Sequence, residues 1–411
     1  MRTASGRPRH LPPPTGEQAI IRPPVVLFWL CALAVAYSYL IYPLVVYWSS
    51  RWGRSLARPG PVTPEEWPRV SLLLAAHNEE EVLADRLRNA LAMDYPADRL
   101  EIVVGSDGST DATGDIARGF ADRGVRLIEF GARRGKAAVL NDAIPSLSGE
   151  VVLLSDANTV IDPAAARSLA RWFERADISS VCGRLVLIDP STGANADGIY
   201  WKYETFLKRC EARLGALLGA NGAIYAIRKD RYVPLPEGII IDDFLIPLLI
   251  RLRHGGASLY EPEAVAWEET SPDIAAEFRR RCRIGAGGFQ SLGLLWPLLD
   301  PRRGWVAFAF FSHKVLRWFC PFFLIGMLAG NLALLDSTAW RWAMAAQLCF
   351  YGASYLVPPS PSRLLRPLRL ATMFTSMNVA LLVGFWRWYT GRQGGTWTPT
   401  SRAVTPSEVR R

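Results

Sequence analysis

The sequence predicts an α/β protein with a doubly wound, mostly parallel sheet, flanked by one N-terminal and about three C-terminal transmembrane helices. Three observations predict it. Apolar runs of strand length alternate with helical stretches from about residue 65 to 156, the pattern of repeated βα units. The run Val151-Val-Leu-Leu-Ser155 reads as a strand buried on both faces and ends at Asp156-Ala157-Asn158. Val25–Trp48 carries no charge and is long enough to cross a bilayer, and Trp318–Leu335, Trp342–Pro358 and Leu370–Trp386 are uncharged stretches near the minimum spanning length.

These features divide the chain into a Pro- and Arg-rich disordered tail (1–24), an anchor (25–48), a Pro/Glu linker (59–68) and a globular domain (65–290). Interfacial amphipathic helices (291–317), a membrane block (318–387) and a tail (388–411) follow. The segment from Trp305 to Arg317, with His313, Lys314 and Arg317, is too charged to span and is expected to lie on the membrane surface. The net charge of +9 suggests nucleic acid, but much of the excess borders the apolar stretches: Arg51, Arg54, Arg58, Arg302, Arg303, Arg363, Arg366 and Arg369. That placement fits membrane lipids and a cytosolic side, and no nucleic-acid motif accompanies it. The six cysteines show no paired spacing, so neither zinc nor a disulfide framework is implied.

In the globular domain Arg69–Ala76 is a strand ending at His77-Asn78-Glu79, and Glu80–Met93 is an amphipathic helix. Leu100–Ser106 is a strand ending at Asp107-Gly108-Ser109-Thr110-Asp111. There Gly108 permits a tight turn, and Ser109 or Thr110 is expected to cap a helix through Arg118. Val125–Phe130 is a strand, Lys136–Ile144 a helix, and 151–155 the next strand. A lone Asp at a strand end is usually a turn residue. Here Asp107, Asp156 and Glu79 end three strands of one sheet and should rim one crevice at its carboxyl edge. Asp156 and Asn158 offer hard oxygen ligands that suit Mg²⁺ or Mn²⁺ held together with phosphate. Gly131-Ala-Arg-Arg-Gly-Lys136-Ala137 is one residue short of a P-loop and lacks its Ser/Thr, yet Lys136 at a helix start can still reach a diphosphate.

Further on, Ile178–Ile188 is extended and Ala196–Leu218 is a long helix. Gly219-Ala-Asn-Gly222 leads into the strand 223–228, and Asp242-Asp243 opens a helix to His254. Two adjacent carboxylates there serve as helix capping or as a general base, and the local sequence does not choose. The cluster Arg279-Arg280-Arg281-Cys282-Arg283 lies on a helix, followed by the Gly-rich Ile284–Gly288.

Taken together, these residues resemble the family 2 inverting glycosyltransferases with a GT-A domain, among them the bacterial cellulose, hyaluronan and poly-N-acetylglucosamine synthases. The resemblance covers about 65–290 and rests on five motifs in the family's order. It implies that Glu79 and Asp107 hold the nucleotide of a nucleotide-sugar donor such as a UDP-sugar. Lys136, with Asn141 behind it, binds nucleotide or diphosphate. Asp156 and Asn158 hold the metal, Asn158 standing where the family has a second Asp. Asp242 and Asp243 match the Glu-Asp of the acceptor helix, with Asp243 the general base. Arg283 matches the Arg of the family's Gln-x-x-Arg-Trp, whose Gln and Trp are absent from Arg280-Arg-Cys-Arg-Ile284. The resemblance further implies a β-linked product made on a polysaccharide or lipid-linked acceptor, by a multi-pass enzyme of the inner membrane whose catalytic domain faces the cytosol. Two other readings are a GT-A-like membrane scaffold that binds nucleotide without transfer, and a sugar nucleotidyltransferase, which lacks its Gly-rich loop here.

Overall fold

The computed structural model describes residues 22–52, 66–189, 195, 198–270, 274–354 and 366–396. The expected tail before residue 22, most of the linker, the basic loop 355–365 and the tail beyond 396 lie outside the described residues. The chain divides into two compact units, one of Met1–Val35 with Phe322–Thr372, the other of Ala36–Pro321 with Met373–Arg411.

The second unit is built on an eight-stranded sheet. Its strands are β1 (Val70–Ala76), β2 (Leu100–Asp107), β3 (Val125–Phe130), β4 (Val151–Asp156), β5 (Val160–Ile161), β6 (Ile178–Ile188), β7 (Tyr225–Arg228) and β8 (Ala257–Glu269), in the order β3-β2-β1-β4-β7-β6-β8-β5. β3, β2, β1 and β4 run parallel, and all seven residues of β1 are buried, as a strand covered on both faces requires. The other half departs from the mostly parallel expectation. β7 is antiparallel to both β4 and β6, and β5 is antiparallel to β8. Only β6 and β8 run parallel there, with irregular register at Gly183/Arg184. β5 and β8 carry no clear sequence signal: one is two residues long, and the other runs through the acidic Glu261-Pro-Glu263.

Around the sheet lie α2 (Glu80–Leu91), α3 (Thr113–Arg118), α4 (Lys136–Ala143), α5 (Ala165–Ala170), α6 (Ile199–Arg213), α7 (Asp242–His254) and α8 (Ile274–Leu295). α2 turns Leu83, Leu87 and Ala90 onto β1, β2 and β4 in one core with Leu72, Leu74, Ile102, Val104 and Leu153. α8 does not end before the Gly-rich stretch but runs through it. A Cβ on Gly287 would lie 2.8 Å from Ile241, and one on Gly288 2.7 Å from the Trp318 indole, so glycine here buys close helix packing rather than a loop.

Among the described residues two helices are long and apolar enough to cross a membrane, α1 (Pro23–Trp52) and α9 (Trp305–Leu332), each broken by one π turn, at Tyr37–Ile41 and Phe310–Val315. The shorter α10 (Thr338–Ala353) and the more polar α11 (Arg366–Tyr389) complete the C-terminal block. The segment expected to lie on the membrane surface is the first part of α9, and its charges face inward. His313 Nδ1 is 2.5 Å from Glu211 Oε1, which also accepts from the Tyr42 hydroxyl at 2.7 Å. Arg317 pairs with Glu204, and its second nitrogen donates to Tyr203 Oη at 3.2 Å. Helix α6 thus supplies both carboxylates, one turn-pair apart on one face, to a buried ladder of cations on α9. Burial alone would raise the Glu204 carboxyl, but Arg317 and His313 outweigh it and hold it well below its usual range.

Removing one partner of such a pair leaves an uncompensated buried charge. Arg317→Met should cost about 3–5 kcal/mol, and adding Glu204→Gln should restore most of it. Thermal unfolding of the detergent-solubilised variants measures both.

Candidate active site

The parallel half of the sheet brings the expected residues to one edge. Ala75 of β1 stands opposite Asp156 of β4, and Ala76 opposite Ser106 of β2, so His77–Glu79, Asp107 and Asp156 leave adjacent strand ends together. Asn78 takes φ +52°, and its side chain accepts from Thr110 N at 2.8 Å. The Asn78 N–H donates to Ser109 Oγ at 3.2 Å, and the Glu79 N–H to Thr113 Oγ1 at 2.8 Å. Ser109 and Thr110 therefore latch two strand-end loops instead of capping α3. Asp111, two residues before Thr113, accepts from its N–H at 3.0 Å and caps that end.

Asp107 is fully buried, and both its carboxylate oxygens accept backbone N–H groups, from Arg134 at 2.7 Å and Gly135 at 2.8 Å. It shapes the loop that delivers Lys136. Gly108 takes φ +58°, and a Cβ there would lie 2.5 Å from Arg133 N, so the turn and the loop require each other. Asn141, placed on the nucleotide by the family resemblance, has a different task. Its amide donates to Leu235 O at 2.8 Å, and its oxygen accepts from Leu235 N at 2.8 Å and Tyr232 Oη at 2.7 Å. These bonds commit its side chain to fastening the 232–235 segment to α4.

Lys136 is the centre. Its Nζ lies 2.7 Å from Asp156 Oδ1 and 3.3 Å from Asp242 Oδ2. Burial would lower the ammonium, but Asp156, Asp242 and Asp243 together raise it above the ordinary lysine value. Asp156 is seated against the loop before β7: a Cβ on Gly222 would meet its Oδ2 at 2.7 Å, so the Gly-Ala-Asn-Gly loop leaves room for this carboxylate. Asp242 and Asp243 start α7, and Ala220 N donates to Asp243 O at 3.0 Å, which ties that helix start to the same loop. The segment before Asp242 is clamped by α8. Gln290 donates to Gly238 O at 2.9 Å and accepts from Ile240 N at 3.0 Å, while Arg283 Nη1 reaches Ile240 O at 3.4 Å. Gly395 packs on Gly238 and Ile239 at the same rim.

Burial and the neighbouring Asp242 push the Asp243 carboxyl up to about 6 from an ordinary 3.8, with Lys136 opposing them. A carboxylate so placed is a competent proton acceptor near neutral pH.

Two residues of the site escaped the sequence reading. Among the described residues the buried Tyr225 hydroxyl has no hydrogen-bond partner, and it lies in the field of Asp242, Asp243 and Asp156. Arg86 is 3% exposed and feels Asp156, and among the described residues its Nε and Nη2 have no hydrogen-bond partner. The signal for Arg86 was a charge on the apolar face of α2 between Leu83 and Ala90.

Residues 71–231 match the family described as Glycosyl transferase family 2. The chain carries a family 2 glycosyltransferase domain. The poly-beta-1,6-N-acetyl-D-glucosamine synthase of Staphylococcus epidermidis is 27% identical to it over 248 residues, 57% of this chain and 58% of that protein. The Staphylococcus aureus synthase is 26% identical over 258 residues, 58% of this chain and 59% of that protein. The chain thus spans under two thirds of either synthase. The mannosyltransferase PcManGT of Pyrobaculum calidifontis, solved with GDP-Man and Mn²⁺, shares the fold. Its TM-score is 0.67 at 21% identity, over 88% of this chain and 99% of that one. The mixed sheet of the glycosyltransferase domain is consistent with GT-A.

The residues present fit a divalent cation of one kind. Among the described residues no three of His, Cys, Asp and Glu converge as a ready cage. Asp242 Oδ2 is a buried acceptor without a hydrogen bond, and a lysine ammonium bridges it to Asp156, so the carboxylates are built to hold positive charge. That suits an ion that completes its oxygen shell with phosphates.

Only deprotonated Asp243 can accept a proton, so activity limited by this group should fall about tenfold per pH unit below about 6. Its folded value lies above the unfolded one. Its stabilising contribution is therefore present below about pH 4 and is lost as pH rises through about 6. A pH–rate profile alongside thermal unfolding at each pH checks both slopes.

Proposed function

We propose that this protein is a membrane-bound inverting glycosyltransferase that moves a sugar from a nucleoside-diphosphate donor to an acceptor hydroxyl. The observation that carries the reading is the Lys136 ammonium held among Asp156, Asp242 and Asp243 at the carboxyl edge of a family 2 domain. The names of its relatives make UDP-N-acetylglucosamine the first donor to try.

The donor's nucleotide lies against the loops that leave β1 and β2, where Glu79 and the Asp107-braced loop orient it. Lys136 sits beside the diphosphate and offsets the charge that grows on it as the glycosidic bond breaks. A divalent ion, Mg²⁺ or Mn²⁺ held by Asp156 and Asn158, would supply further neutralisation of that leaving group. Asp243 takes the proton of the acceptor hydroxyl while its oxygen attacks the anomeric carbon from the face opposite the diphosphate. Configuration inverts, and an α-linked donor yields a β-linkage. Asp242 keeps Asp243 basic, and Arg283 and Gln290 hold the segment that carries both. The apolar helices α1 and α9 support a membrane location, and the basic residues that border the apolar stretches support a cytosolic transferase domain. The acceptor is then a glycan or lipid-linked sugar presented at that surface.

Asp243→Asn should lower kcat by about 10²–10⁴-fold with UDP affinity unchanged. UDP release by solubilised protein with Mn²⁺ or Mg²⁺, run beside UDP binding, tests this. Turnover near the wild-type rate in the variant assigns the base elsewhere. UDP release with full activity after chelation removes the metal from the scheme.

A further inference from the structure

The hydroxyl of Tyr225, the first residue of β7, takes no part in the hydrogen bonds of the site. Tyr225 is 1% exposed, and among the described residues its Oη has no hydrogen-bond partner. A buried hydroxyl left so is costly, and phenylalanine would fill the same space without the cost. Tyr232 shows the usual solution, donating to Asn141 Oδ1 at 2.7 Å.

Sheet register fixes where that side chain points. Tyr225 stands opposite Leu154 of β4, Leu154 opposite Leu73 of β1, and Leu73 opposite Val103 of β2. Paired residues share a face of the sheet, and so do residues two apart on a strand. Gly105, two residues after Val103, marks this face as the one α4 covers: a Cβ on it would lie 2.5 Å from Val139 Cγ1. Asp156, two residues after Leu154, is therefore on the same side as Tyr225 and diagonally across from it, within reach of a long aromatic side chain. The Lys136 ammonium joins Asp156 Oδ1 at 2.7 Å to Asp242 Oδ2 at 3.3 Å, which brings Asp242 to the same place. Among the described residues that oxygen of Asp242 is held by Lys136 alone. Burial first, then Asp242 and Asp243, push the Tyr225 hydroxyl well above its ordinary value, in keeping with this placement.

A diphosphate beside Lys136 competes with Asp242 for the same ammonium. As the ammonium turns to the diphosphate, Asp242 is left a buried carboxylate without a donor, which is strongly unfavourable. We propose that Tyr225 is a positioning residue for the transfer: its hydroxyl donates to Asp242 in place of Lys136 when the donor's diphosphate draws the ammonium away. This rests on the glycosyltransferase reading above and assigns what holds its acid pair once the donor is bound. Tyr225 makes no bond to the sugar and keeps its proton, and Asp243 remains the base. An O–H···O contact forms as an N–H···O contact is given up, so Asp242 stays anionic beside Asp243.

The test uses the full chain in detergent and reads UDP affinity by calorimetry with Mg²⁺ and thermal unfolding without nucleotide. Tyr225→Phe should bind UDP roughly tenfold more weakly, the loss expected of one hydrogen bond to a charged group. Without nucleotide it should unfold at or above the wild-type temperature, since the hydroxyl removed bonds to nothing. The sign of that second effect should reverse in Lys136→Met. There Asp242 has already lost its ammonium and needs the hydroxyl, so adding Tyr225→Phe should lower the unfolding temperature further. Unchanged UDP affinity in Tyr225→Phe overturns the inference. So does a lower unfolding temperature for that variant while Lys136 is present, which is a purely structural role, and so does a neutral effect in Lys136→Met. A wild type that binds no UDP refutes instead the donor reading on which the inference rests, and the Lys136→Met comparison still reports on Tyr225.

Discussion

The site depends on one buried cation. The Lys136 ammonium stands between Asp156 at the end of β4 and Asp242 at the start of α7, and it lies in the field of Asp243. Three carboxylates from two elements could not share that space unneutralised, because like charges in a low dielectric repel strongly. The lysine therefore fixes where β4 ends relative to α7. The loop that carries it is fixed in turn by Asp107 through two backbone N–H groups.

The same electrostatic logic recurs at the junction of α6 and α9. There Glu204 and Glu211 face His313 and Arg317, with the π turn of α9 falling at the contact. In each cluster carboxylates and cations from elements distant in sequence close on one another. The clusters differ in saturation. The α6–α9 acids are fully engaged, as structural pairs must be when buried. The Lys136 cluster retains a buried Tyr225 hydroxyl with no hydrogen-bond partner among the described residues. A buried hydroxyl left unsatisfied is costly, and its place beside Lys136 and the acids suits a site shaped for a ligand.

Much of the first half was legible in the residues. Val125–Phe130 is the strand expected, and α7 runs from Asp242 to His254 as read. The strand-end positions of Glu79, Asp107 and Asp156 followed from apolar runs that stop at a polar residue. The second half was less legible. β8 conceals Glu261 in its buried face because Arg171 and the Trp172 indole neutralise it from another element, and no local pattern announces such a partner. The inward charges of α9 are not legible for the same reason, since a helix bearing His, Lys and Arg looks solvent-facing until the acids of α6 are placed against it.

Sequence by itself determined the α/β alternation, the apolar helices and the identity of the chemical groups, because hydrophobic periodicity and strand-end polarity are local properties of the chain. Tertiary structure decided what each group does. It gave Asn141 to the 232–235 segment and Asp107 to its loop, and it made a plain lysine the hub of three acids. Charge pairing acts over a few ångströms between residues up to about a hundred positions apart. Only the folded chain sets those distances.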